Sequence, residues 1–104
     1  MIKGFTKANF KKWLESKHPR TKVGAQCACT GCPLAKFVVQ TLPVKGKYVE
    51  VDGDALSIYD SEKSKVYPLP QWANDFIGLV DGDDPWADSS VSASKALSIL
   101  RKCA

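Results

Sequence analysis

Tyr48-Val49-Glu50-Val51-Asp52-Gly53-Asp54-Ala55-Leu56-Ser57-Ile58-Tyr59 is the stretch whose reading decides the fold. Apolar and polar residues alternate from Tyr48 to Asp52, the period of a half-buried strand and not of a helix. Asp52-Gly53 suits a tight hairpin turn, and Ala55 to Tyr59 resumes the alternation. Val49 and Val51 fall on one face, where Leu56 and Ile58 meet them across the hairpin. A second turn at Asp60-Ser61-Glu62-Lys63-Ser64 leads to a short strand at Lys65 to Leu69. Such a meander is marginal alone, so helices must cover its apolar face.

Helical signals flank it on both sides. Upstream, Thr6 is an N-cap, and Phe5 can staple onto Phe10 one turn later. Phe10, Trp13 and Leu14 share a face, with Lys7, Lys11, Lys12 and Glu15 opposite. His18-Pro19 ends this helix, since a residue before proline leaves the helical region. Residues 19–31 read as a polar loop with Gly24 and Gly31, and Lys22 to Cys27 do not make a convincing strand. Pro33 opens a second helix that presents Leu34, Phe37 and Val38 inward and stops by Leu42-Pro43. Downstream, Pro70 opens a third, with Trp72, Phe76, Ile77, Leu79 and Val80 as its buried face and Asp81-Gly82 as its stop. Ser92 caps a fourth, in which Ala93, Ala96, Leu97, Leu100 and Cys103 align. The order is α-α-β-β-β-α-α: an α+β domain, a three-stranded antiparallel meander packed by about four helices. Its 104 residues suffice for one core, so 1–104 reads as a single domain.

Composition is that of a globular chain, 44% hydrophobic and 25% charged. No segment is apolar for the length of a membrane span, and the N-terminus lacks a signal-peptide core. The expected setting is cytoplasmic, with reduced thiols and no membrane partner. The net charge of +4 conceals an asymmetry: residues 1–47 carry ten Lys and Arg against Glu15 alone, a net +9, whereas residues 48–104 carry a net −5. Charge of this kind bears on partners and association rate, not on fold. Lys7, Lys11, Lys12, Lys17, Arg20 and Lys22 follow one another along the first helix and the loop after it. If they face one way, they make a positive stripe for phosphates or carboxylates. Lysines that merely solubilise exposed helix faces would give the same pattern. Trp86, in the acidic loop Asp83-Asp84-Pro85-Trp86-Ala87-Asp88, is either an exposed anchor or a lid on the core.

Cys27-Ala28-Cys29-Thr30-Gly31-Cys32 is the other chemical signal. Three thiolates can hold zinc if a fourth ligand closes the tetrahedron, and His18 or Cys103 could supply it. The strong signature has two separated Cys-x-x-Cys knuckles, and only one is present. Cys29 and Cys32 also form a redox-type pair at the mouth of the second helix, whose dipole favours a thiolate. A thioredoxin-like site, however, needs a βαβ context that this order lacks. Cysteines with no ligand at all are the plain alternative. A hydrolytic set is missing: His18 is the one histidine, no phosphate-cradling glycine loop is present, and the acidic loop lacks a calcium-binding glutamate. The sequence gives no reason to expect an enzyme.

Val23-Gly24, Cys32-Pro33-Leu34-Ala35-x-Phe37, Tyr67-Pro68-Leu69-Pro70-x-Trp72-Ala73, Val91-Ser92-Ala93 and Ala96-Leu97-x-Ile99-Leu100 together resemble a group of short uncharacterised proteins of bacteria and their phages. The resemblance spans about Phe10 to Leu100. It makes Cys32 the landmark cysteine, with Cys27 and Cys29 as additions in this chain. It implies a phage or mobile-element setting, where proteins of this size often inhibit host defence. The resulting expectation is a non-enzymatic binding module whose basic half engages an acidic host protein or a nucleic acid. The alternative is a thiol-dependent protein, with Cys27, Cys29 and Cys32 holding zinc or Cys29 and Cys32 as a redox pair.

Overall fold

A computed structural model describes residues 3–25, 31–42, 48–52, 54–59, 64–81 and 90–104. In chain order its elements are α1 (Lys7–Glu15), β1 (Lys22–Ala25), α2 (Pro33–Thr41), β2 (Tyr48–Asp52), β3 (Ala55–Tyr59), β4 (Ser64–Pro68), α3 (Gln71–Asp81), β5 (Ser90–Ser92) and α4 (Ala93–Leu100). The α+β order read from the sequence stands, with two short strands added to it.

The meander is antiparallel in the order β2-β3-β4. Its register sets Val49 opposite Ile58 and Val51 opposite Leu56. All four are buried, as the period-2 pattern requires. β2 packs against α2 on the core side. The opposite face carries the cross-strand pair Tyr48 and Tyr59, with ring centroids 5.8 Å apart. β4 begins one residue earlier than the sequence suggests, and Leu69 beyond it is still held, its N–H donating to Asp54 O at 2.8 Å.

Thr6 caps α1, its hydroxyl accepting from the Asn9 N–H at 3.1 Å. Phe5 and Phe10 are both buried, and the staple closes through two shared rings. Phe37 and Trp72 lie 6.2 and 5.2 Å from Phe5 and 5.2 and 5.8 Å from Phe10. α1 ends at Glu15, before His18-Pro19, with Ser16 as its C-cap and Ser16 Oγ donating to Trp13 O at 2.6 Å. In α3, Ala73, Phe76 and Val80 form the buried line, with Trp72 and Ile77 half-buried beside it. Leu79, expected in that face, is 43% exposed, because it falls off the 73–76–80 line along which the helix packs.

The segment read as a loop from 19 to 31 contains β1. Its reach is set by pairing across the chain: Lys22 opposes Ser92, Gly24 opposes Val91 and Ala25 opposes Ser90, with a bulge between Lys22 and Gly24. The same segment secures the start of α4, where the Ala93 and Ser94 N–H groups donate to Thr21 O at 2.8 Å and Pro19 O at 3.0 Å. Ser92 completes that cap by accepting from the Lys95 N–H at 3.2 Å. Two helix-start donors that water would otherwise serve are thus tied to backbone carbonyls. Trp13, Phe37, Phe76 and Trp72 converge on Phe10, and this aromatic group is the centre of the core.

Candidate acidic-partner interface

The position of the basic residues follows from which helices pack together. α1 buries Phe10, Trp13 and Leu14, and α4 buries Ala93, Ala96, Ile99 and Leu100. The two helices lie side by side. Flanking residues of both then border the seam between them. A small cleft of about 130 Å³ lies among Lys7, Lys11, Leu97, Leu100 and Arg101. It is below the range of roughly 300–1,000 Å³ that holds drug-sized ligands. Leu97 and Arg101 also line a groove of about 540 Å³ that continues to Glu15, Lys17, Pro19, Ala93, Ser94 and Ser98. The two share Leu97 and Arg101 in their linings, and four basic side chains and one acid border the pair.

Each cation is held differently. Lys7 Nζ donates to Cys103 O at 2.9 Å and Ala104 O at 3.4 Å, so Lys7 ties α1 to the residues after α4. Lys11 and Arg101 are exposed. Lys17 Nζ lies 5.5 Å from the centroid of the Trp13 ring, a cation–π contact that restrains a flexible side chain. Lys12 sits on the other side of α1, in a groove towards α2 with Asn9, Trp13 and Thr41. One residue along a helix is a rotation of about 100°, which separates Lys12 from Lys11. Arg20 and Lys22 are exposed in the segment that ties to the start of α4. The expected stripe is therefore divided: Lys7, Lys11 and Lys17 border the α1–α4 seam, and Lys12 does not.

Arg101 is the contributor that reading the sequence missed. It belongs to the acidic half of the chain, and no local pattern says that α4 packs against α1. The one usable signal is its i, i+4 spacing from Leu97, which places both on one face of the helix.

Beneath Lys7 a polar tie joins α3 to the chain end. Asp75 Oδ2 accepts from the Ala104 N–H at 3.0 Å, and Asp75 Oδ1 accepts from Gln71 Nε2 at 2.7 Å. These two donors, with a smaller contribution from the Lys7 charge, hold the Asp75 carboxyl below its ordinary value against a modest desolvation cost. Burial, and next the Asp75 charge, push the Cys103 thiol up. Cys103, whose Sγ donates to Ile99 O at 3.4 Å, is thus a protonated, buried thiol at neutral pH and a poor nucleophile.

Cys32 is also buried, 3% exposed. It is the N-cap of α2, its Sγ accepting from the Ala35 N–H at 3.4 Å. His18 is exposed, and its Nδ1 accepts from the Arg20 N–H at 3.1 Å. Cys27, Cys29 and Trp86 lie outside the described residues. Among the described residues, no three His, Cys, Asp or Glu side chains are grouped as metal ligands, and no helix is long and apolar enough to cross a membrane. No family model, no curated protein and no solved structure matches the chain.

Proposed function

We propose that this chain is a non-enzymatic binding module that receives an acidic partner, a host protein or a nucleic acid, along the α1–α4 seam. The supporting observation is the pair of adjoining clefts at this seam, with Lys11 lining one, Lys17 the other and Arg101 both. Cations held on a rigid scaffold raise encounter rates and fix orientation more than they deepen affinity. A phage or mobile-element inhibitor is the setting that the sequence resemblance implies for such a module.

The test is fluorescence anisotropy with a labelled polyglutamate peptide and a labelled DNA duplex, each across a salt series. The paired reversal Lys11→Glu with Arg101→Glu should weaken binding on the order of tenfold or more and flatten its salt dependence. The pair Lys12→Glu with Lys36→Glu, at an α1–α2 groove residue and an exposed residue of α2 that lines neither cleft, alters net charge equally and should act far less. If neither polyanion binds, or both pairs act alike, the seam is not the site.

A thiol-dependent reading draws support from one feature. The Ala25 N–H donates to Gly31 O at 2.8 Å, one residue from Cys32. A zinc site there predicts a zinc-sized mass increment under native ionisation, lost on denaturation, together with unfolding by chelator. A mass matching metal-free thiols rejects zinc.

A further inference from the structure

Among the described residues β4 ends the sheet, so one of its edges has no strand beside it. The direction of its backbone groups follows from two observations. The Leu69 N–H donates to Asp54 O, and 54 and 69 lie in the same register as the pairs Leu56–Tyr67 and Ile58–Lys65. Residues 65, 67 and 69 therefore direct their N–H and C=O groups towards β3, and residues 64, 66 and 68 direct theirs to the open edge. Pro68 agrees with this: its pair with Ala55 is one that needs no donor from it. The edge thus offers the N–H and C=O of Ser64 and Val66 and the C=O of Pro68. Val66 is 63% exposed, the largest exposure of any bulky apolar side chain among the described residues.

We propose that this edge pairs with itself: two copies of the chain join antiparallel through β4 about a two-fold axis at Val66, making one six-stranded sheet. Register and charge together select this arrangement. With Val66 opposite Val66 of the second copy, four backbone hydrogen bonds form, two between the valines and one from each Ser64 N–H to the other copy's Pro68 carbonyl. Lys65 then faces Tyr67, so no like charges are opposed. A slip of one register step towards Ser64 keeps four bonds but sets Lys65 directly against Lys65, which is unfavourable. A slip the other way matches Val66 with Pro68 and loses half the bonds, because proline has no N–H to return. Lys65 and Pro68, residue types that ordinarily blunt an edge, here exclude the competing registers and leave one open. The exposed Val66 side chains meet at the axis, on the face that carries Tyr48 and Tyr59.

Sedimentation equilibrium over a wide concentration range reads the mass. The wild-type chain should rise from 11.4 kDa towards twice that value. Val66→Lys should weaken association at least tenfold, whereas Val39→Lys, at an exposed position on α2, should leave it unchanged. Amide exchange of the wild-type protein gives a second readout that needs no variant. Ser64 and Val66 amides should gain protection as concentration rises, while Lys65 and Tyr67, already bonded to β3, should not. A monomer at every concentration, a dimer indifferent to Val66→Lys, or protection gained elsewhere overturns the proposal.

Discussion

Phe10→Ala is expected to be the most damaging single substitution outside the backbone. Phe10 is fully buried, and its ring lies 5.1 Å from Phe76, 5.2 Å from Phe37, 5.8 Å from Trp72 and 6.0 Å from Trp13. Truncation removes the one ring that all four share and leaves a cavity that rigid aromatic neighbours close poorly. Such a change costs about 3–5 kcal/mol, a large part of the roughly 5–15 kcal/mol that a domain has. A thermal melt should show a fall on the order of 15–30 °C, at several degrees per kcal/mol for a chain of this size. Val39→Ala, at a position 53% exposed, should stay within about 0.5 kcal/mol of the wild type. A Phe10→Ala protein that melts within a few degrees of the parent would show that the core is not centred there.

Gly24→Ala is expected to be nearly as harmful, for a different reason. A Cβ at Gly24 would lie 2.5 Å from Pro33 N, 2.7 Å from Gly31 O and 2.8 Å from the Cys32 carbonyl carbon. All three are backbone atoms, so no side chain can rotate away. β1 must move off the entry to α2, loosening its pairing with β5 and the carbonyls that cap α4. The loss should reach about 3 kcal/mol, the upper part of the range for overpacking, read as a lower midpoint in urea at unchanged slope. Gly78 offers the contrast: nothing lies within 4 Å of a Cβ there, and Gly78→Ala in the exposed part of α3 should stabilise by about 0.5–1 kcal/mol. Equal responses at the two glycines would mean that β1 does not approach α2 this closely.

The same glycine shows where sequence reading stops. β2 and β3 are legible because Val49, Val51, Leu56 and Ile58 keep period 2 on both sides of Asp52-Gly53, and the pairing of Asp52 with Ala55 is the register that this pattern requires. The starts of α1 and α4 are legible because Thr6 and Ser92 are capping residue types three residues before the N–H groups they receive. β1 and β5 are not. Each has one large apolar residue, Val23 or Val91, and a bulge breaks what alternation four residues could show. Their partners are far apart in the chain, and pairing at that distance leaves no local trace. Cys32 at the mouth of α2 was legible as a position. Its use there as the cap was not, because cysteine is not among the residues usually read as caps.

The candidate seam divides the same way. Lys7, Lys11 and Lys17 stand out in a half-chain with one acid, yet periodicity within α1 cannot say which flank meets α4 and which meets α2. That choice follows from packing, and it removes Lys12 from the group and brings in Arg101. It also engages Lys7 with the carbonyls of Cys103 and Ala104, leaving Lys11, Arg101 and Lys17 as the cations available to a partner.

The most direct test is a two-dimensional amide NMR titration of the intact protein with polyglutamate and, separately, with a DNA duplex. Binding at the seam predicts shift changes concentrated at Lys11, Lys17, Leu97, Ser98 and Arg101, fading as salt is raised, with Lys12, Lys36 and the β2-β3-β4 sheet nearly still. Changes centred on the α1–α2 groove or on the sheet, or no change with either polyanion at low salt, would contradict it.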